Sequence, residues 1–396
     1  MGTSSLQPVD SSLKRQDQAA ASLPDPEFDL LCACCARSPA DRNPRIHAAL
    51  REPLAWQKLA SSAEHHGLVP RLYEILLANS ALVPQPGLAV VRRRYESNLR
   101  RTLWLTRELG RVLAHLDARR IPALPFKGPV LAQRLYGDAS ARQYSDLDIL
   151  IRADDFARAQ AALLELDFQP GMRLSAREQR SYLETAYEFT FDSRDGHSLL
   201  ELQWRILPRF YSVDFDIPGF FTRAGTQSLA GITVPSLASE DLLLTLCAHT
   251  WKHAWLQLSW FYDIAVLADC GKPDWSAVWR EASALGLSRV VAVTFLVAQR
   301  LLGAPLPPGL RPDSTAHQLA ERVLPRIRRS AAFGEHLFEY FKLTASARER
   351  TRDRTRFWWR LATTPGAGEW SVVRLPGPLF PLYRIIRLGR VARWLF

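Results

Sequence analysis

Residues 126–151 read FKGPVLAQRLYGDASARQYSDLDILI, and the fold is decided in this stretch. From Asp146 to Ile151 carboxylates alternate with apolar side chains, the period-two pattern of a half-buried strand. Residues two apart in a strand share a face, so Asp146 and Asp148 stand side by side, about 7 Å apart along the backbone. Leu147 and Ile149 then turn the other way and anchor the strand in a core. Upstream, the short apolar run IPALPF (121–126) reads as a buried strand. Lys127-Gly128 leads into a brief helix, VLAQRLYG, with Pro129 suited to its first position.

Working outward, residues 154–166 form an amphipathic helical pattern. Residues 187–194 and 198–206 flank Asp195-Gly196, a hairpin signal. One small sheet with helices packed on it is the economical reading. Helical periodicity dominates on either side. Before the sheet it runs from 27 to 120, with Trp56, Leu59, Ala60 and Ala63 at three- and four-residue spacing. After it come SLASEDLLLTLCAHTWKHAW, opened by Ser236 or Ser239 as cap, then LSWFYDIAVLADC and SAVWREASALGL. The expected class is α+β, a small mixed sheet embedded in a predominantly helical protein. Its expected divisions are a disordered leader (1–26), a helical domain (27–120), the α/β core (121–235), a second helical domain (236–310) and a basic, partly amphipathic C-terminal region (311–396).

Composition sets the outer bounds. The 396 residues are 47% hydrophobic and 23% charged, which excludes a wholly disordered chain and a collagen-like repeat. Nowhere do 18 apolar residues run together, so no membrane-spanning helix is expected. The first twenty residues lack the apolar centre of a secretory signal, and a cytoplasmic location is expected. Cys32, Cys34 and Cys35 crowd one apolar helix in a spacing that suits neither a disulfide framework nor zinc, so they read as small buried thiols. Charge is unevenly spread. Residues 322–396 hold sixteen Lys/Arg against five Asp/Glu, which accounts for the whole net charge of +11.

The acids suggest a chemistry. Two neighbouring carboxylates repel unless a cation neutralises them, and Mg²⁺ is commonly held by one or two carboxylates plus substrate phosphates. Glu201, on the second hairpin arm, completes a three-carboxylate set if that arm pairs near the Asp146 strand. Such a set can hold two ions (Mn²⁺ being the alternative metal). Lys127 and Gly128 sit where a helix begins, a place for phosphates, and Arg142 lies within reach of them. Glu188, on the first arm, is the substitute for Glu201. Each residue also has a plain structural reading: Glu201 as a solvated hairpin side chain, Lys127 as a surface charge. For His249 and His253 it is helix packing, with Asp263 pairing to His253, and for Trp251, Trp255 and Trp260 it is burial in the core.

The quoted stretch resembles the signature of the bacterial nucleotidyltransferase family 5, distant members of the DNA-polymerase-β nucleotidyltransferase superfamily. The resemblance rests on Lys127, Gly128, Tyr136, Arg142, Asp146 and Asp148, then on Glu201-Leu202-Gln203-Trp204, where Gln203 replaces the commoner His. Downstream it continues in His249, His253, Trp260 and Asp263, and it covers roughly residues 30–310. It implies a sheet-based nucleotidyltransferase core and metal-dependent transfer of an NMP from an NTP, ATP foremost, to an acceptor with release of pyrophosphate. In that scheme Asp146, Asp148 and Glu201 are catalytic and hold the metal; Lys127, Gly128, Tyr136 and Arg142 bind the nucleotide. A nucleotide-binding scaffold without catalysis and a D-x-D glycosyltransferase are the competing expectations. For the Arg-rich end, LFPLYRIIRLGRVARWLF, packing onto the protein's own fold is the first expectation, followed by an anionic membrane surface at the inner face of the membrane and then RNA.

Overall fold

The computed structural model describes residues 25–330, 337–365, 369, 373, 375 and 377–395, so most of the expected leader lies outside the described residues. The chain is mostly helical and carries one five-stranded mixed sheet and one separate hairpin, an α+β fold.

Among the described residues five helices come first: α1 (Pro26–Cys34), α2 (Pro39–Ala49), α3 (Trp56–His65), α4 (Val69–Ala78) and α5 (Gln85–Ala118). Cys32, Cys34 and Cys35 are buried in α1 and its C-cap, as read; Cys247 is buried too, but Cys270 is exposed. The 34 residues of α5 make a rod about 50 Å long. Its buried residues Leu105, Leu109, Val112 and Leu116 recur at three- and four-residue spacing and pack against the sheet, whereas Val91 packs among the helices. One element thus belongs to both hydrophobic cores.

The sheet is built from β1 (Leu124–Pro125), α6 (Gly128–Tyr136), β2 (Asp146–Leu150), α7 (Phe156–Glu165), β3 (Phe168–Pro170), α8 (Ala176–Thr185), β4 (Glu188–Ser193) and β5 (Leu199–Gln203). Strand order is β1-β2-β5-β4-β3, with β2 and β5 parallel and the other pairs antiparallel. The expected first strand shrinks to two residues, and the Asp195-Gly196 turn widens into a loop closed by Asp195, whose carboxylate accepts from the His197 amide and the Ser193 hydroxyl. Alternation along the strands sorts the sheet into two faces. Leu147, Ile149, Phe189, Phe191, Leu200 and Leu202 join α5 and α7 in one core. The opposite face carries the acids.

Beyond the sheet lie α9 (Ile217–Arg223) and a hairpin of β6 (Gly225–Leu229) and β7 (Ile232–Ser236), which the sequence reading did not identify. Its two-residue turn, Ala230-Gly231, has positive φ at both positions, the geometry of a tight hairpin. Then follow α10 (Ser239–Lys252), α11 (Leu258–Cys270), α12 (Trp275–Leu285), α13 (Ser288–Leu302), α14 (Ser314–Arg328), α15 (Leu337–Ser346), α16 (Thr351–Thr363) and α17 (Tyr383–Leu395). Neither proposed serine caps α10: Ser236 ends β7, and Ser239 is the first helical residue, its hydroxyl donating to the Gly271 carbonyl at 2.9 Å. A single core gathers side chains from α1, α4, α10, α11, α13 and α14 and reaches Phe357 and Leu361 of α16. No helix among the described residues is long and apolar enough to cross a membrane.

Candidate active site

The parallel pairing of β2 and β5 sets Asp148 opposite Glu201, with Asp146 opposite Leu199. Adjacent strands lie about 4.8 Å apart, so the two-residue period puts Asp146, Asp148 and Glu201 on one face of neighbouring strands. The next strand adds Glu188, opposite Gln203. All four acids line one cleft of about 450 Å³. Its other walls are Arg94, Asn98 and Arg101 from α5, Arg142 to Ser145 before β2, and His249, Lys252, His253, Gln257 and Trp260 from α10, α11 and their connection.

Each acid is constrained. Asp148 is nearly fully buried, and Lys127 Nζ lies 2.6 Å from its Oδ1. Gln203 Nε2 donates both to Asp148 Oδ1 at 2.9 Å and to Glu201 Oε2 at 3.1 Å, clipping the two carboxylates together. Burial, then the charges of Asp148 and Glu188, push the Glu201 carboxyl up to about 8. Burial and Asp148 likewise raise Asp146. Burial alone would lower the Lys127 ammonium, but Asp148, Asp146 and Glu201 more than offset it and hold it charged. For Lys252 burial and the Lys127 charge outweigh Glu188, Glu201 and Asp148 and lower it, and its Nζ donates to the Tyr187 hydroxyl at 3.1 Å. The buried Oε2 of Glu188 has no partner among the described residues. Four acids thus crowd one face with Lys127, Lys252 and the Arg142 guanidinium around them, and burial with mutual repulsion makes Asp146 and Glu201 harder to ionise.

The remaining sequence-derived residues fall into two groups. Arg142 lines the cleft but is buried, its Nε donating to Asp263 Oδ2 at 2.8 Å. Tyr136 donates to the other oxygen of Asp263 at 2.6 Å. Asp263 therefore pairs with Arg142 and Tyr136 and not with His253; it ties α6, the loop before β2 and α11 into one support. Gly128 and Tyr136 are not among the residues lining the cleft. Gly128 opens α6 at φ 56°, a conformation that favours glycine and lets Lys127 turn back toward the acids.

Other residues of the cleft were not recognised from sequence. Arg94, Asn98 and Arg101 lie at i, i+4 and i+7 on α5, and the buried Asn98 reaches the Arg142 carbonyl at 3.5 Å. A polar residue on the core-facing stripe of an amphipathic helix was the available signal. Trp251 and Trp255 are fully buried, as read, but Trp260 faces the cleft with His249 and His253.

A mixed sheet that presents paired acids beside a parallel strand bearing a third suits the nucleotidyltransferase core that the sequence resemblance implies. Residues 52–303, well over half the chain, match the family described as "Uncharacterised nucleotidyltransferase", and the chain belongs to that family. A search of curated proteins finds no match. Among solved structures it is similar to the antibiotic-resistance factor ANT(2'')-Ia, at 14% identity and a TM-score of 0.33, covering 46% of this chain and 96% of that one. It is also similar to an antigenic nucleotidyltransferase-like protein from Paracoccidioides brasiliensis, at 17% identity and a TM-score of 0.29, covering 49% and 91%.

The acids suit a hard divalent cation in chemistry, being oxygen donors crowded on one face with one orphaned buried oxygen, that of Glu188. They do not form a closed cage: among the described residues no three His, Cys, Asp or Glu side chains are grouped to hold a metal.

Proposed function

We propose that this protein is a metal-dependent nucleotidyltransferase that moves an NMP from an NTP, with ATP the first candidate, to a hydroxyl or phosphate acceptor. The observation that carries the reading is the β2–β5 register, which sets Glu201 opposite Asp148 in a cleft shared with Asp146, Lys127 and Arg142. Asp146 and Asp148 would hold Mg²⁺, or Mn²⁺, with Glu201 as third ligand. When bound, the metal supplies charge neutralisation at the phosphates and acidifies the attacking hydroxyl. The acceptor oxygen attacks the α-phosphorus, the bond to the β-phosphate breaks, and pyrophosphate leaves with the electron pair. Glu201, ionised once a cation offsets its acidic neighbours, would receive the hydroxyl proton. Lys127 and Arg142 bring positive charge to the phosphates, and the fixed Arg142–Asp263 pair spares the site reorganisation during transfer. Tyr136 acts behind them by holding Asp263.

The test uses α-labelled NTPs with Mg²⁺ or Mn²⁺ and a panel of acceptors, read as incorporated label and released pyrophosphate. Asp146→Ala/Asp148→Ala should lower both on the order of 100-fold. Equal turnover by wild type and variant would end the catalytic reading. One observation favours a second reading, a nucleotide-binding scaffold: Lys127 already neutralises Asp148. That reading requires calorimetric NTP binding without pyrophosphate release, whereas heat released only with a UDP-sugar would indicate a glycosyltransferase.

The C-terminal helix α17 is proposed to rest on an anionic membrane surface, giving a cytoplasmic protein peripheral to the membrane. Leu382, Ile385 and Leu388 are exposed beside Arg384, and Trp359 of the neighbouring α16 is exposed as well.

A further inference from the structure

We propose that Trp260, buttressed by His249 and His253, whose rings are inclined to its own by 78° and 45°, is the face of a stacking shelf for the planar base of the nucleotide. This rests on the nucleotidyltransferase reading and assigns a subsite within it. His249 and His253 are one helical turn apart on α10, and Trp260 comes from the first turn of α11. Their ring centroids lie 4.6 Å apart for the two histidines, 5.1 Å for His249 and Trp260, and 5.2 Å for His253 and Trp260. All three line the same cleft as the acids, with His253 exposed and the other two half-buried.

The shelf is fixed from behind. The chain turns between α10 and α11 through Ala254 and Trp255, consecutive non-glycine residues at φ 53° and 57°. Left-handed backbone at two such residues persists only where surrounding packing holds it. Here Trp255 is fully buried and donates to the Thr294 hydroxyl at 2.9 Å, and the buried Trp251 donates to the Thr344 carbonyl at 3.0 Å. Two core tryptophans thus hold the connection that presents the histidines and Trp260.

The alternative use of the histidines, as proton acceptors, suits them less well. Among the described residues neither imidazole is hydrogen-bonded to a carboxylate that would orient it. Desolvation of the ring nitrogens and the nearby charges of Lys252 and Lys127 also lower both imidazoles, so both rings are neutral at working pH. Neutral aromatic faces beside a phosphate site are what a base stacks on. Such stacking tolerates any base, because each has a π face.

The experiment is calorimetry on the full chain with Mg²⁺, comparing ATP with inorganic tripolyphosphate, which has the phosphates and no base. Trp260→Leu and His253→Ala should each weaken ATP binding, about 10-fold for Trp260→Leu, while tripolyphosphate affinity stays within about 2-fold. Trp260→Phe, which keeps a ring, should recover most of the ATP affinity and control for misfolding. Unchanged ATP affinity, or equal loss for both ligands, would overturn the shelf and leave the phosphate site standing. If wild type bound neither ligand, the nucleotidyltransferase reading would fail and the shelf with it.

Discussion

Asp263 shows how one side chain can organise a site without lining it. It is almost fully buried, and its two oxygens accept from Arg142 and Tyr136, both also removed from water. Burial by itself would lower the Arg142 guanidinium, but Asp263 and Tyr136 reverse that effect. Asp263→Ala would strand a buried cation, so it should cost about 3 kcal/mol or more in urea unfolding and weaken NTP binding as well. A variant as stable as wild type would show that Arg142 finds another partner. The family resemblance had singled out Asp263, Arg142 and Tyr136 separately. Their pairing was not legible, because α6 and α11 meet only after the chain has passed through the sheet. Gln203 was noted as a replacement for His without a role; only the strand register reveals that its amide bridges two acids.

Among the elements, the most strongly patterned were the most readable. The alternating DLDIL strand, the Pro129-led helix and the two arms around Asp195-Gly196 all form as read, since each carries its own periodicity or turn chemistry. The β6–β7 hairpin escaped notice because Gly225–Leu229 is too polar and too exposed to alternate clearly. At the C-terminus, composition indicated a basic amphipathic helix, but not how its arginines are used. Arg387 and Arg390 turn inward to the buried Glu369, and Arg387 also donates to the Leu361 carbonyl, so α17 is held on α16. The face left outward is apolar, with Ile385 64% and Leu388 47% exposed. If that face meets an anionic membrane, the full chain should float with phosphatidylserine vesicles and not with neutral ones. Ile385→Glu/Leu388→Glu should abolish flotation without altering the melting temperature. Flotation that survives both glutamates would rule the surface out.

At the scale of the whole molecule, segments far apart in sequence meet at His66, which follows α3. The residue is fully buried; its Nδ1 accepts from the Leu258 amide and its carbonyl from the Ser259 amide, while its ring lies edge-on to Phe28 and near Ser330. No local pattern could announce this, because a His65-His66 pair before a glycine carries no periodicity. Burial, and then the neighbouring His65, depress the His66 imidazole to about 4. An unfolded chain would bind a proton there near pH 6.5. Above that pH both states are neutral and the residue contributes no pH dependence. Between 6.5 and about 4 the unfolded state takes up the proton and the folded state does not, so stability falls with pH and levels off below about 4. The full loss is about 3 kcal/mol, and about 2 kcal/mol of it should be gone by pH 5. Urea unfolding at pH 7 and pH 5 measures this directly, with His66→Gln as the comparison that lacks the titrating group. Other buried histidines add to the slope of both proteins, so the difference between them is the readout. Wild type should lose about 2 kcal/mol more than the variant across that interval; parallel losses would mean that His66 takes up its proton without opening the helical core.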